Sequence, residues 1–162
     1  MQSIEYRRGS SDHTKPHALL ARPFPLPAVD QDQRMTVLVV DDEPNLRELL
    51  RCVFEEEGFH VLCAANGEDA WQLWQHRAPA VVVSDVMMPT LDGYGLLRRL
   101  QGALGTVRPP VILMSAAPSR AVTLPVPMVA KPFDINELLT LVEDVVSATD
   151  RGAAQYRGDG IA

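Results

Sequence analysis

Five short runs of apolar, mostly β-branched residues recur along the chain: VLVV at 37–40, HVLCA at 60–64, AVVVS at 80–84, VILMS at 111–115 and PMVA at 127–130. Each is apolar nearly throughout instead of alternating with polar residues, the pattern of strands covered on both faces of a parallel sheet. Between them the apolar spacing becomes helical. Leu46, Leu49, Leu50, Val53 and Phe54 fall on one face of a helix that starts near Pro44 and stops at Gly58. A second helix carries Ala70, Trp71, Leu73 and Trp74, with both tryptophans read as packing residues, and a third carries Leu96, Leu97 and Leu100. The last carries Leu138, Leu139, Val142, Val145 and Val146 behind a capping residue, Asp134. Strand and helix in alternation predict an α/β domain with a doubly wound, five-stranded parallel sheet.

One connection breaks the rhythm. Between Ser115 and Lys131 lie 15 residues, Pro118, Pro125 and Pro127 among them. That leaves room for one or two helical turns around 119–123, so the fourth helix of the series is expected to be shortened or missing. Residues 1–34 hold Pro16, Pro23, Pro25 and Pro27 with mixed charges and no periodicity, and read as a disordered N-terminal tail. Met35 opens the first apolar run and is an alternative translation start, which any peptide from residues 2–34 of the native protein would rule out. The domain is expected over 35–148, followed by a flexible C-terminal tail at 149–162. That tail is too short for a DNA-binding or enzymatic output domain, so the reading is of a stand-alone unit.

At 162 residues the chain has material for one core of ordinary size. A net charge of −6 opposes direct binding to DNA, which needs clustered cations to displace counterions. No apolar run approaches bilayer-spanning length, which predicts a soluble, cytoplasmic protein without membrane contact. Cys52 and Cys63 stand in apolar patterns without neighbouring ligand residues and are expected to be buried thiols.

In an open α/β sheet, ligands bind beyond the carboxyl ends of the strands. The residues that end these runs are Asp41 and Asp42, Asp85, Ser115, and Lys131 followed by Pro132. Three carboxylates brought together repel, and the repulsion is relieved by a proton or a cation. Hard oxygen ligands suit Mg²⁺, which commonly takes one or two carboxylates together with phosphate oxygens. Asp85 would then be a nucleophile toward phosphorus, with Lys131 balancing the product's charge. Ser115 offers a hydroxyl that can donate to a phosphoryl oxygen, a contact made only in the phosphorylated state. Asp92 and Gly93 read as a turn and an acidic helix start instead of chemistry.

The blocks VLVVDDEPNLRELL, VVSDVMMPTLDGYGLL, VILMSA and AKPF resemble the corresponding segments of response-regulator receiver domains, of the same superfamily as CheY. That resemblance implies the flavodoxin-like strand order 2-1-3-4-5 and phosphorylation of Asp85 by a histidine kinase or phosphotransfer protein. It implies direct Mg²⁺ ligation by Asp42 and Asp85, water-mediated ligation by Asp41, and a further oxygen from the Met87 backbone carbonyl. Lys131 would pair with the acidic cluster, Ser115 would turn toward the phosphoryl group, and the Lys131–Pro132 bond would be cis. Output would pass to a downstream protein partner whose identity stays open, or the chain would serve as a phosphate sink.

Three departures bear on switching. Met128 stands where most of these domains carry an aromatic residue that moves with the hydroxyl group, and a thioether has no stiff ring to move. A reduced fourth helix remodels the surface that commonly mediates output, which predicts a monomer without the usual phosphorylation-induced dimer. Met87 and Ala117 flank the site and cannot orient a hydrolytic water, which predicts a long-lived aspartyl phosphate. Two other readings stay open. One is a binding module of the same fold that works without phosphorylation. The other is an aspartate-nucleophile phosphatase, poorly matched because Asp41 is followed two positions later by Glu43.

Overall fold

A computed structural model of the chain describes residues 34–103, 108–116 and 126–158. The elements run β1 (Thr36–Val40), α1 (Pro44–Glu56), β2 (His60–Ala64), α2 (Gly67–Arg77), β3 (Val81–Asp85), α3 (Gly93–Gly102), β4 (Val111–Ser115), β5 (Met128–Ala130) and α4 (Ile135–Gly158). The strands form one sheet in the order β2-β1-β3-β4-β5. Every neighbouring pair is parallel, with Val40 level with Ser84, Asp85 with Met114, and Ser115 with Ala130. This is the doubly wound, flavodoxin-like order implied by the sequence.

The unbroken apolar runs are explained by the two cores they serve. Alternate strand residues Val37, Val39, Val81, Val83, Ile112 and Met114 face Leu50 and Phe54 of α1 and Leu138, Val142 and Val146 of α4. The residues between them, Leu38, Val40, Val82, Val111 and Leu113, face Ala70 and Trp74 of α2 and Leu96, Leu97 and Leu100 of α3. With both faces covered, the central strands are apolar on both sides up to their ends, where buried Ser84 satisfies its hydroxyl by donating to the Asp85 carbonyl at 2.9 Å.

Helix ends follow local chemistry. Pro44 occupies the first turn of α1, where its missing N–H costs no hydrogen bond. The far end closes as a Schellman turn. There Gly58 sits at φ +87°, its N–H donates to the Glu55 carbonyl at 3.1 Å, and the Phe59 N–H donates to the Phe54 carbonyl at 3.0 Å. The Phe54 and Phe59 rings then meet edge to face at 6.0 Å between centroids. Asn66 caps α2, Asp92 caps α3, and the Asp134 carboxylate accepts from the Asn136 N–H at the start of α4.

Several sequence expectations are revised. Leu49 is 49% exposed, because the buried stripe of α1 runs through Leu46, Leu50 and Phe54 and leaves its neighbour at the boundary. Cys52 is exposed on the same helix, and Cys63 is half-buried in β2, so the expectation of two buried thiols fails for Cys52. Helix α4 runs from Ile135 to Gly158. Residues 149–158 contain no proline, and two alanines help carry the helix through. The described residues contain four helices, and the shortened one expected between β4 and β5 falls at 117–125, outside the described residues. Among the described residues, no helix is long and apolar enough to cross a membrane.

The burial difference on α1 is measurable. Phe54→Ala empties a fully buried position and should cost about 3–5 kcal/mol in urea unfolding. Leu49→Ala should stay within about 0.5 kcal/mol of the parent.

Candidate functional site

Strand order decides what meets at the carboxyl edge. The first crossover carries the chain from β1 out to β2, and the next brings it back across to β3, so β1 and β3 flank the point where the winding reverses. Asp41 and Asp42 follow β1, and Asp85 ends β3. Their carboxylates lie with one oxygen each within 4.8 Å of the others. Asp41 is fully buried, Asp85 is nearly so, and Asp42 is exposed.

Lys131 follows β5 and reaches across to this cluster. Its Nζ lies 2.8 Å from Asp41 Oδ2 and 2.9 Å from Asp85 Oδ1. The Lys131 N–H also donates to the Ser115 carbonyl at 2.8 Å, which ties the end of β5 to the end of β4. Ser115 itself is buried, and the Lys131–Pro132 bond is cis. Met87 stands on the loop after Asp85 with its side chain 73% exposed. Met128 is half-buried beside the core formed with α2 and α3.

Three carboxylates and one ammonium leave two negative charges in a small volume. Burial, the largest influence, lifts the Asp85 carboxyl above the usual carboxylate range. Lys131 pulls it down and Asp41 pushes it up again. For Lys131, burial works against the charged form, yet hydrogen bonds and attraction from Asp41 and Asp85 together raise it above its ordinary value. The donor set is all oxygen and two charges short of neutral, so the residues present fit a small divalent cation such as Mg²⁺.

Some supporting residues carried no sequence signal. Arg47 of α1 donates through Nη1 to the Asp41 backbone carbonyl, and the Asp41 carboxylate accepts from the Glu43 N–H at 2.8 Å. Gly93 lies so close to Asp85 that a Cβ there would sit 2.2 Å from the Asp85 carbonyl oxygen. The Asp-Gly pair at 92–93 is legible as a turn and cap, but this close approach is a property of the packed loop. Thr90, at φ +69°, holds a backbone conformation that β-branched residues rarely adopt.

A doubly wound α/β domain with an acidic pocket at its winding reversal, bridged by a lysine from the edge strand, defines a class of proteins, and the comparisons name it. A family model described as the response regulator receiver domain matches residues 37–143. The chain belongs to that family, the signalling domain of two-component systems, whose members bind Mg²⁺ at an acidic pocket. Response regulator Rre1 of Synechocystis sp. is 35% identical over 120 residues, covering 70% of this chain and 52% of that protein. The probable transcriptional regulator ycf27 of Porphyra purpurea is 34% identical over 127 residues, covering 75% and 51%. The chain thus spans about half the length of these curated relatives. The receiver domain of the Francisella response regulator 1452 is similar at a TM-score of 0.66 and 32% identity, covering 72% of this chain and 99% of that one.

The electrostatics predict a stability effect with a definite sign. A carboxyl whose value is raised on folding contributes stability that is present below the ordinary carboxylate range and lost as pH rises through the raised value. Near neutral pH the parent therefore carries a penalty that Asp85→Asn does not. In Mg²⁺-free buffer near neutral pH the variant should melt at a higher temperature than the parent. The gain should shrink as pH falls through the raised value and be gone below the ordinary carboxylate range, where the parent carboxyl is neutral whether folded or unfolded.

Proposed function

We propose that Asp85 accepts a phosphoryl group from a histidine kinase or phosphotransfer protein, and that the chain signals through this modification. The convergence of Asp41, Asp42 and Asp85 with Lys131 at one sheet edge, in a chain of the receiver family, carries the reading. An Asp85 carboxylate oxygen attacks the phosphorus, the P–N bond to the donor imidazole breaks, and that imidazole leaves with the bonding pair and takes up a proton. Asp41, Asp42, Asp85 and the Met87 carbonyl would hold Mg²⁺, which when bound neutralises charge on the transferring phosphoryl oxygens.

The remaining roles belong to this chain's own groups. Lys131, already between Asp41 and Asp85, is placed to compensate the charge gained when the carboxylate becomes an acyl phosphate. Arg47 braces the backbone of Asp41 from α1. Ser115, buried at the end of β4, supplies the hydroxyl that distinguishes the phosphorylated state by donating to a phosphoryl oxygen. Half-buried Met128 takes the place of the usual aromatic ring, so the link from Ser115 to the surface is flexible instead of stiff. Output then goes to a downstream protein partner, or the chain drains phosphoryl groups from a kinase that serves another regulator.

Incubation with acetyl phosphate and Mg²⁺ should add one phosphoryl mass to the chain and none to Asp85→Ala. No gain in the parent would favour a binding module that works without phosphorylation, and steady turnover of a phosphate monoester would favour a phosphatase. With the exposed Met87 thioether beside the site and no polar group at that position to orient water, the label should persist for minutes. Its loss within seconds would contradict the assigned role of Met87. Chelating Mg²⁺ before addition of the donor should abolish labelling.

A further inference from the structure

The loop from Val86 to Gly93 is closed from inside. The Gly93 N–H donates to the Val86 carbonyl at 3.0 Å, the Leu91 N–H to the Pro89 carbonyl at 2.9 Å, and the Val86 N–H to the Met114 carbonyl at 2.8 Å. It is also held from outside, by a helix that contributes nothing to the acidic cluster. The first four N–H groups of a helix lack partners within it. In α2, those of Glu68 and Asp69 donate to the Asn66 side chain at 3.0 and 2.9 Å, while the Ala70 N–H makes the first bond of the helix, to the Asn66 carbonyl at 3.1 Å. That of Gly67 donates outside the helix, to the Leu91 carbonyl at 2.9 Å.

The contact leaves no room for a side chain. A Cβ on Gly67 would lie 2.5 Å from the Leu91 carbonyl oxygen and 2.9 Å from Leu91 Cγ. On the other side of the Leu91 side chain, a Cβ on Gly95 would lie 2.6 Å from Leu91 Cδ1. Leu91 is therefore wedged between two bare Cα atoms, one on α2 and one on α3. The first turn of α2 is itself tied to α3, because Glu68 pairs with Arg99, whose guanidinium lies 5.1 Å from the centre of the Trp71 ring.

We propose that Gly67 is a positioning residue for the acidic site: its amide and its missing side chain clip Leu91, and so fix the loop that carries Met87. This rests on the reading that the Met87 carbonyl is an oxygen ligand for Mg²⁺. Mg²⁺ demands near-octahedral geometry, so a displaced backbone carbonyl weakens binding even with every carboxylate in place. An alanine at 67 would meet a backbone oxygen, which cannot swing aside as a flexible side chain does, and the loop must move instead.

Isothermal titration of the full chain with Mg²⁺, alongside thermal unfolding without metal, tests this. Gly67→Ala should fold and bind Mg²⁺ about tenfold more weakly than the parent, the scale seen when groups that orient a ligand are lost. Gly102→Ala, where a Cβ meets nothing within 4 Å, should bind as the parent does. A folded Gly67→Ala with affinity within about twofold of the parent would overturn the proposal, as would an equal loss in Gly102→Ala. Should Gly67→Ala fail to fold, Asn66→Ala, which removes the cap that sets the first turn of α2, is judged by the same criterion. Absence of Mg²⁺ binding in the parent would strike the metal reading itself, whereas parental binding unchanged in the variants would strike only the clip.

Discussion

Lys131 Nζ sits 2.8 Å from one buried carboxylate and 2.9 Å from a second, and those two carboxylates belong to strands on either side of the winding reversal. Asp41 is fully buried and Asp85 nearly so, which without a partner would leave uncompensated charge in a site of low dielectric. The ammonium makes their burial tolerable without cancelling it, since Asp42 brings the cluster to two negative charges. Such a residual charge is what a site needs to attract a small divalent cation. Lys131 reaches it only because β4 lies against β3 and β5 against β4, with the Lys131 amide anchored on the Ser115 carbonyl.

The sheet supplies a rigid base for this arrangement. Its central strands are sealed on both faces by two separate apolar cores, one under α1 and α4, the other under α2 and α3. Polar chemistry is thereby confined to the strand ends, where backbone turns outward into loops. Those loops are braced individually: Arg47 and Glu43 hold the end of β1, and Gly93 and Leu91 hold the loop after β3. A site whose ligands come from several loops depends on such bracing, because each loop alone would be free to shift by more than the tolerance of a small cation.

Much of this was legible in the chain itself. The five apolar runs match the observed strands closely, and Pro44, Gly58, Asp92 and Asp134 mark helix ends as read, whereas the Asn66 cap of α2 was not singled out. The residues ending the strands were the chemically unusual ones, and of these Asp41, Asp42, Asp85 and Lys131 meet at one sheet edge. Less legible was everything that depends on a neighbour distant in sequence. Leu49 and Cys52 share the helical apolar pattern of α1 yet face outward, because the width of the buried stripe is set by how the helix sits on the sheet. Arg47 carries no signal in the helical spacing, and its contact with the Asp41 carbonyl exists only once α1 has docked.

Sequence alone determined periodicity and chemistry: which segments are strands, which are helices, and that carboxylates, a hydroxyl and a lysine stand where strands end. Those are local properties, set by side-chain branching, spacing and turn residues within a few positions of one another. Tertiary structure decided the rest. It made Asp41 buried and Asp42 exposed although they are adjacent in the chain, lifted the Asp85 carboxyl through burial, and pressed the first residue of α2 against Leu91. Burial, charge pairing and close backbone approach sum over contacts between distant segments, and no spacing along one strand or helix encodes that sum.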